Sequence, residues 1–274
     1  MKITICKSDG PREYNVASLK ITTLLAALYE IKAKLDPTLT FDAVCRSGIC
    51  GACAVRVNGR ETLACSHTPV DGDIVEPLRY HPVLRDLKVD HLPALETLKT
   101  ILRDKESQSD SCKNSSPPPL SPQEEECFRL QSDCILCDCC YSVCPVLEVH
   151  SGFLGPFALS RAWRYIKDPR YTGIENPKTD NNESKISIDT TFQQEGTVSK
   201  KSHAVLELVQ KNGIWECTLC GECTAVCPQG LDPKGDILGL RIQSLRSGYD
   251  DPSAFTHDFG VPDFSTGFGF EQNP

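Results

Sequence analysis

No stretch of the 274-residue chain approaches the roughly 20 consecutive apolar residues that span a bilayer, so no membrane-spanning helix is expected. No basic run stands out either. The formal net charge is -8, which makes nucleic acid an unexpected partner. The opening residues, MKITICKSDG, hold neither an apolar core of the export-signal kind nor a twin-arginine pair, so the expected location is cytoplasmic. A glycine-rich dinucleotide loop is also missing, and with it any visible means of binding a flavin or a nicotinamide cofactor. What the chain has in quantity is cysteine, sixteen residues in all. Without an export signal these do not suggest a disulfide framework. Thiols kept reduced at this density usually bind metal or carry out redox chemistry.

The chain divides by composition. Residues 1–92 suggest a small mixed α/β domain. Met1, Ile3 and Ile5 alternate with polar residues as in a half-buried strand, and Leu24, Leu25, Leu28, Ile31 and Leu35 recur at helical spacing before Pro37. In AVRVNGRETLAC, Asn58-Gly59 predicts a tight hairpin turn between two strands. Residues 93–250 suggest a mainly helical domain. It opens with a short helix over 92–103, and a Ser-, Pro- and charge-rich linker follows at 104–126. A helix is predicted around ALSRAWRYI, 158–166, and a polar insertion at 175–202. A final helix, DILGLRIQSLRSG, carries Leu238, Ile242 and Leu245 at helical spacing and ends near Gly248. The tail, 251–274, contains five of the ten phenylalanines (Phe255, Phe259, Phe264, Phe268 and Phe270). That is rich for a disordered end, so the tail either docks on a partner or packs back on its own domain.

Twelve cysteines fall into three sets. Cys45, Cys50, Cys53 and Cys65 follow C-x4-C-x2-C-x11-C, the spacing of plant-type [2Fe–2S] sites. Three thiolates on one loop wrap the cluster, Gly48 and Gly51 let backbone N–H groups approach sulfur, and Cys65 closes the site from the end of the hairpin. A zinc site would more usually show two separated C-x2-C pairs. The second set, CILCDCCYSVCP, holds Cys134, Cys137, Cys140 and Cys144. The third, CTLCGECTAVCP, holds Cys217, Cys220, Cys223 and Cys227. The two stretches agree at seven of twelve positions, an internal repeat of C-x2-C-x2-C-x3-C-P. In two-cluster ferredoxins with this run, the fourth cysteine ligates the other cluster. The expected groupings are therefore Cys134, Cys137, Cys140 with Cys227, and Cys217, Cys220, Cys223 with Cys144. Cys6, Cys112, Cys127 and Cys139 are left over. Cys6 suggests a small buried hydrophobe and Cys139 a side chain turned away from its ligand neighbours.

A [2Fe–2S] stretch followed by a two-cluster stretch resembles the iron–sulfur subunit of succinate dehydrogenase and fumarate reductase. CRSGICGACAVRVNG, VLRDLKVD, CILCDCC and GPFALSRAWRYIKDPR carry the resemblance, which extends over about residues 1–250. It implies an α+β chain: a β-grasp plant-type ferredoxin domain, then a helical two-cluster ferredoxin domain. It also implies a role in electron transfer through three clusters, between an FAD-bearing flavoprotein subunit that interconverts succinate and fumarate and a quinone near a membrane anchor. The chain would then sit peripherally on the inner face of the cytoplasmic membrane, held by its partners. It would do no substrate chemistry itself, since redox reactivity belongs to the clusters. A related carrier serving a heterodisulfide- or thiol-linked fumarate reductase is the other reading.

The chain departs from that family in two places. The third site of the family commonly has three cysteines and a [3Fe–4S] centre, which Cys144, Cys217 and Cys223 match. Cys220 stands where the family usually has an apolar or small residue, which predicts a second [4Fe–4S] cluster and a less oxidising centre. A [3Fe–4S] centre with Cys220 unligated is the alternative. Thr218 and Val146-Leu147-Glu148-Val149 occupy positions where the family often has His and Trp beside the quinone. That difference suggests another kind of acceptor or anchor, such as a cysteine-rich anchor subunit.

Overall fold

The computed structural model describes residues 1–17, 21–103, 119–172 and 200–252. Strands β1 (Lys2–Lys7) and β2 (Gly10–Asn15) pair antiparallel. With β3 (Ala54–Val57), β4 (Arg60–Leu63) and β5 (Asp73–Glu76) they make one five-stranded sheet in the order β2-β1-β5-β3-β4. The β1–β5 pairing is parallel and the others are antiparallel. Ile3 and Ile5 point to the same face because a strand alternates sides, and both are fully buried. Helix α1 (Leu24–Lys34) covers that core with Leu24, Leu25, Leu28 and Ile31. It starts at Thr23, whose hydroxyl accepts the Ala26 N–H. Asn58 and Gly59 take the left-handed conformations (φ 51° and 81°) that the β3–β4 turn requires. A small hairpin, β6 (Val83–Arg85) and β7 (Lys88–Val89), closes this half.

Helices make up the rest: α2 (Leu92–Arg103), α3 (Pro122–Ser132), α4 (Cys139–Ser142), α5 (Val146–Val149), α6 (Pro156–Lys167), α7 (Pro169–Thr172), α8 (Lys200–Gln210), α9 (Glu222–Ala225) and α10 (Pro233–Arg246). Helix α6 is the hub, packing on α2, α3, α8 and α10. Phe157, Leu159, Ala162 and Trp163 lie buried along it. Helix α10 comes so close that a methyl group at Gly239 would stand 2.6 Å from the Trp163 ring. Cys137, Cys139 and Val226, from the helical half, are built into the core of the sheet half, so the two halves share an apolar contact.

Several sequence expectations need adjusting. The stretch read as linker up to 126 ends earlier. Ser121 forms a reciprocal capping box with Glu124, and α3 begins at Pro122, where proline's missing N–H costs nothing. Helix α8 takes the last residues of the predicted polar insertion, from Lys200. Helix α10 forms as expected, with Gly248 left-handed just past its end (φ 86°), but it faces the other way. Ile237, Leu240 and Ser244 are buried, and Leu238, Ile242 and Leu245 are exposed. Apolar residues on both faces make the periodicity ambiguous there. Cys6 is half-buried rather than buried, being on the opposite side of β1 from Ile3 and Ile5. The remaining linker and insertion residues, Cys112 and nearly all of the tail lie outside the described residues.

Candidate functional site

The first cysteine set is built on the loop before β3. Arg46, Gly48 and Gly51 are left-handed (φ 61°, 77° and 73°), which curls the loop. The Ser47 N–H donates to Cys45 Sγ at 3.4 Å. This N–H, and then the Cys50 side chain, lower the Cys45 pKa to about 6. Cys53 and Cys65 are buried together at the two ends of the β3–β4 hairpin, where the Ala64 N–H meets the Cys53 carbonyl. Burial pushes the Cys53 pKa up to about 12, and the adjacent Cys65 sulfur adds to the effect. Cys45 and Cys50 thus lie together on the loop, and Cys53 and Cys65 together at the hairpin. Val44 and Ile49, 74% and 69% exposed, form an apolar rim around the outer two.

The second set faces one cavity. Cys134, Cys137, Cys140 and Cys227 line it, with Ile135, Leu136, Phe157, Leu231 and prolines 228 and 233. Cys227 comes from the other copy of the motif. Burial first, then the sulfurs of Cys137, Cys134 and Cys223, push the Cys140 pKa well up, so the site disfavours four bare thiolates and suits a bound cation. The third set gathers in the same way. Burial raises the Cys223 pKa to about 12, helped by the nearby sulfurs of Cys217, Cys144 and Cys220. Cys144 is likewise raised by burial and then by Cys217 and Cys220. Cys220 itself is exposed.

The two motif copies share a backbone. Leu136 and Leu219 are both left-handed (φ 51° and 55°), as are Asp138 and Gly221 (φ 61° and 86°). The turn aims the Leu219 N–H at Cys217 Sγ (3.3 Å), and the Leu136 N–H plays the same part for Cys134. A one-turn helix, α4 or α9, then carries the chain from the third cysteine to the fourth. In the first copy a further one-turn helix, α5, follows the fourth cysteine directly. Soft sulfur donors, in fours, in apolar surroundings with amide hydrogens pointing at sulfur are the donor set of iron–sulfur clusters. Cys139, fully buried, lies outside the cavity lining and packs in the core of the sheet half, and Cys127 is exposed on α3.

The three sets stand in a row. Gly51 of the first loop lies so close to the second motif that a methyl group there would be 2.8 Å from Cys137 Cβ and 3.0 Å from its Cα. Cys140 of the second set is within electrostatic reach of Cys223 of the third. The second set therefore lies between the other two, with Cys134, Cys140 and Cys227 half-buried and Cys137 buried. Sequence reasoning missed the polar clamp that holds this row. Ser142 Oγ accepts the Arg79 N–H (2.8 Å) and donates to the buried Glu61 carboxylate (2.8 Å). Gln229 Nε2 donates to the Gly48 carbonyl (3.0 Å). It also missed a buried cluster of His81, His91 and Asp138. The only signal for that cluster was an aspartate where the repeat's other copy has glycine.

The sequence matches a 2Fe-2S iron-sulfur cluster binding domain over residues 6–96 and a 4Fe-4S dicluster domain over residues 131–231. Fold and cysteine geometry therefore define an iron–sulfur electron-transfer protein with a plant-type ferredoxin half and a two-cluster half. Its relatives narrow the class. The 8-methylmenaquinol:fumarate reductase iron-sulfur subunit of Wolinella succinogenes is 33% identical over 90% of this chain and 74% of its own length. The fumarate reductase iron-sulfur subunit of Mycobacterium tuberculosis is 33% identical over 84% of this chain and 83% of its own. The chain belongs to the family of fumarate reductase and succinate dehydrogenase iron–sulfur subunits. The solved Mycobacterium smegmatis Sdh1 complex in the apo form includes a chain of the same fold (TM-score 0.66, 21% identity, 91% of this chain and 97% of that one).

Proposed function

We propose that the chain relays single electrons between a flavoprotein that interconverts succinate and fumarate and an acceptor held by an anchor subunit. The succession of the three cysteine sets, the second between the first and the third, carries this reading. Cys45, Cys50, Cys53 and Cys65 hold a [2Fe–2S] cluster. Cys134, Cys137, Cys140 and Cys227 hold a [4Fe–4S] cluster, and Cys144, Cys217, Cys220 and Cys223 hold a second. Bound there, the clusters supply one-electron carriers whose potentials follow cluster type, net charge and hydrogen bonding to sulfur. The chain itself fixes the sulfurs, turns amides toward them and sets apolar side chains such as Ile135, Leu136 and Phe157 along the middle site.

The Val44 and Ile49 rim beside Cys45 and Cys50 suits docking of the flavoprotein, which carries FAD. The exposed Cys220 end suits the anchor. Among the described residues no helix is long and apolar enough to cross a membrane, so membrane attachment falls to that partner. The Wolinella relative is named for 8-methylmenaquinol. A quinone acceptor fits here as well, with its contacts supplied by the anchor, because Thr218 and Val146–Val149 replace the family's usual His and Trp. Purifying the native complex tests this reading. A flavoprotein should co-purify with succinate- or fumarate-dependent reduction of the iron, and air-oxidised protein should lack a stoichiometric three-iron EPR signal. That signal, in intact protein, would leave Cys220 unligated and make the third centre [3Fe–4S].

A further inference from the structure

Outside the cysteine sets, one cluster of metal-ligating side chains is assembled from both halves of the molecule. The β6–β7 hairpin carries His81 just before it and His91 just after it. The Asp90 N–H donates to the Pro82 carbonyl at 2.8 Å, extending the hairpin stem and bringing the two imidazoles side by side, with ring centres 5.4 Å apart. Asp138, from the second cysteine motif, inserts between them. Its Oδ2 lies 3.2 Å from His81 Nε2 and 2.7 Å from His91 Nδ1. The three ligand atoms are all within 4.8 Å of one another.

Three features favour a cation at this spot. First, His81 Nδ1 lies 2.7 Å from the Arg79 carbonyl, which can only accept, so that nitrogen carries the hydrogen. That leaves Nε2 to face the Asp138 carboxylate oxygen at 3.2 Å, a spacing that either a proton or a metal ion between them would satisfy. A metal-bound histidine is held by this same device, its second nitrogen donating to a carbonyl. Second, Asp138 is 2% exposed, and among the described residues nothing donates to its Oδ1. A buried carboxylate oxygen left without a partner is costly unless a cation draws on the group. Third, the backbone at Asp138 is left-handed, and glycine fills the matching place, Gly221, in the other copy. An aspartate kept where the turn favours glycine points to a use for its side chain.

We propose that His81, His91 and Asp138 form a binding site for one zinc ion, which pins the hairpin of the sheet half to the second cysteine motif of the helical half. Two imidazole nitrogens and a carboxylate oxygen are a borderline-soft donor set that zinc accepts, leaving a fourth position for water. Tetrahedral zinc with bonds of about 2.0–2.2 Å sets its ligands about 3.3 Å apart, close to the His81–Asp138 spacing and about 0.6 Å beyond that of His91. His91 has room to move, its side chain being 34% exposed, and on that side the ion can enter. Zinc has no redox chemistry, so it can sit beside an electron path without taking part in it.

The site requires nothing of the iron clusters or the partner subunits' chemistry, so its failure would leave the electron-transfer reading untouched. The test is metal analysis of the purified native complex from zinc-supplemented cells. About one zinc per chain is expected beside the iron. Asp138→Asn, which keeps the shape and tolerates the turn, and His91→Gln, at a half-exposed position, should each lose that zinc while keeping the iron. Zinc-edge absorption should show nitrogen and oxygen neighbours. Wild-type protein without stoichiometric zinc would overturn the assignment. So would zinc retained by both variants, or sulfur in the zinc coordination shell, which would place the ion in the cysteine sites.

Discussion

The two copies of the cysteine motif, 134–145 and 217–228, have the same backbone turns and opposite surroundings. The first is wedged between the halves. Cys137, Asp138, Cys139 and Ser142 are all buried, and the first-cluster loop presses on Cys137. The second leaves Thr218, Cys220, Glu222 and Ala225 exposed. Identical ligand geometry therefore gives two different centres. A motif wedged against both halves fixes its distance to its neighbours, which suits the middle of a relay. An open site can meet a partner, which suits an end. Among the residues that differ between the copies, Asp138 (against Gly221), Cys139 (against Glu222) and Ser142 (against Ala225) contact the sheet half in the first copy.

The largest contrast should come from the matched cysteines. Cys137→Ala removes a buried ligand from the middle of the row, and loss of that whole centre with failure of the surrounding fold is expected. Cys220→Ala removes an exposed ligand, so the fold should survive with one iron fewer and a three-iron EPR signal should appear. Iron content and EPR on both variants check this. Equal iron loss would mean that burial does not separate the copies. The next effect concerns the contact that buries the first copy. Gly51→Ala would bring a methyl group to 2.8 Å from Cys137 Cβ, against backbone that cannot yield, at φ 73°. A cost of about 2–4 kcal/mol is expected from overpacking and left-handed strain together. Gly48→Ala, with open space around it and φ 77°, should show the strain alone, about 1–2 kcal/mol. Thermal unfolding of the two variants separates these contributions.

Much of this was legible in the sequence because ligand chemistry constrains spacing. The cysteine motifs stand out by spacing alone, and the strand alternation of Ile3 and Ile5, the Asn58-Gly59 turn and the helices around Leu28 and Ala162 follow local rules. What was not legible depends on contacts between distant segments. Helix α10 is apolar on two faces, and only its packing on α6 selects Ile237 and Leu240 over Leu238 and Ile242. Ser121 was hidden as a helix start by the polar composition around it. The Glu61–Ser142–Arg79 clamp and the His81–Asp138–His91 cluster join distant stretches of the chain, 47 to 81 positions apart across each contact, with no spacing rule to announce them.

A smaller effect tests how the segments flanking the two copies are tied together. Asp236 of α10, after the second copy, is buried against α3 and α6, which flank the first. It accepts from Ser160 Oγ and from Gln131 Nε2 (2.9 Å). Burial raises its pKa from 3.8 to about 6, more than those hydrogen bonds lower it. Between these values the folded chain holds a proton that the unfolded chain releases, so stability should fall as pH rises through that window, by about 2–3 kcal/mol at most. Asp236→Asn should flatten that slope and stabilise the protein at pH 7. Gln131 Oε1 has no partner among the described residues, so the amide can rotate to accept from the new asparagine. Unfolding curves from pH 4 to pH 7 check this, and an unchanged slope would show that Asp236 does not titrate there.

The mildest change exchanges the residues that distinguish the copies. Ser142→Ala gives the first copy the residue of the second. The Arg79 N–H loses its acceptor, and Glu61, 3% exposed, loses its only hydrogen-bond donor among the described residues, keeping just the Arg56 guanidinium 3.2 Å away. Leaving these groups buried and unpaired should cost about 2 kcal/mol, or roughly 4–8 °C in unfolding temperature. The reverse exchange, Ala225→Ser, falls on an exposed position and should stay within about 0.5 kcal/mol. Iron content should be unchanged in both, since neither side chain approaches a sulfur set as a donor. Equal, small shifts would mean that the clamp adds nothing to the seal around the middle site. In that case apolar contact through Cys139 and the close approach at Gly51 would have to hold the first copy in place alone.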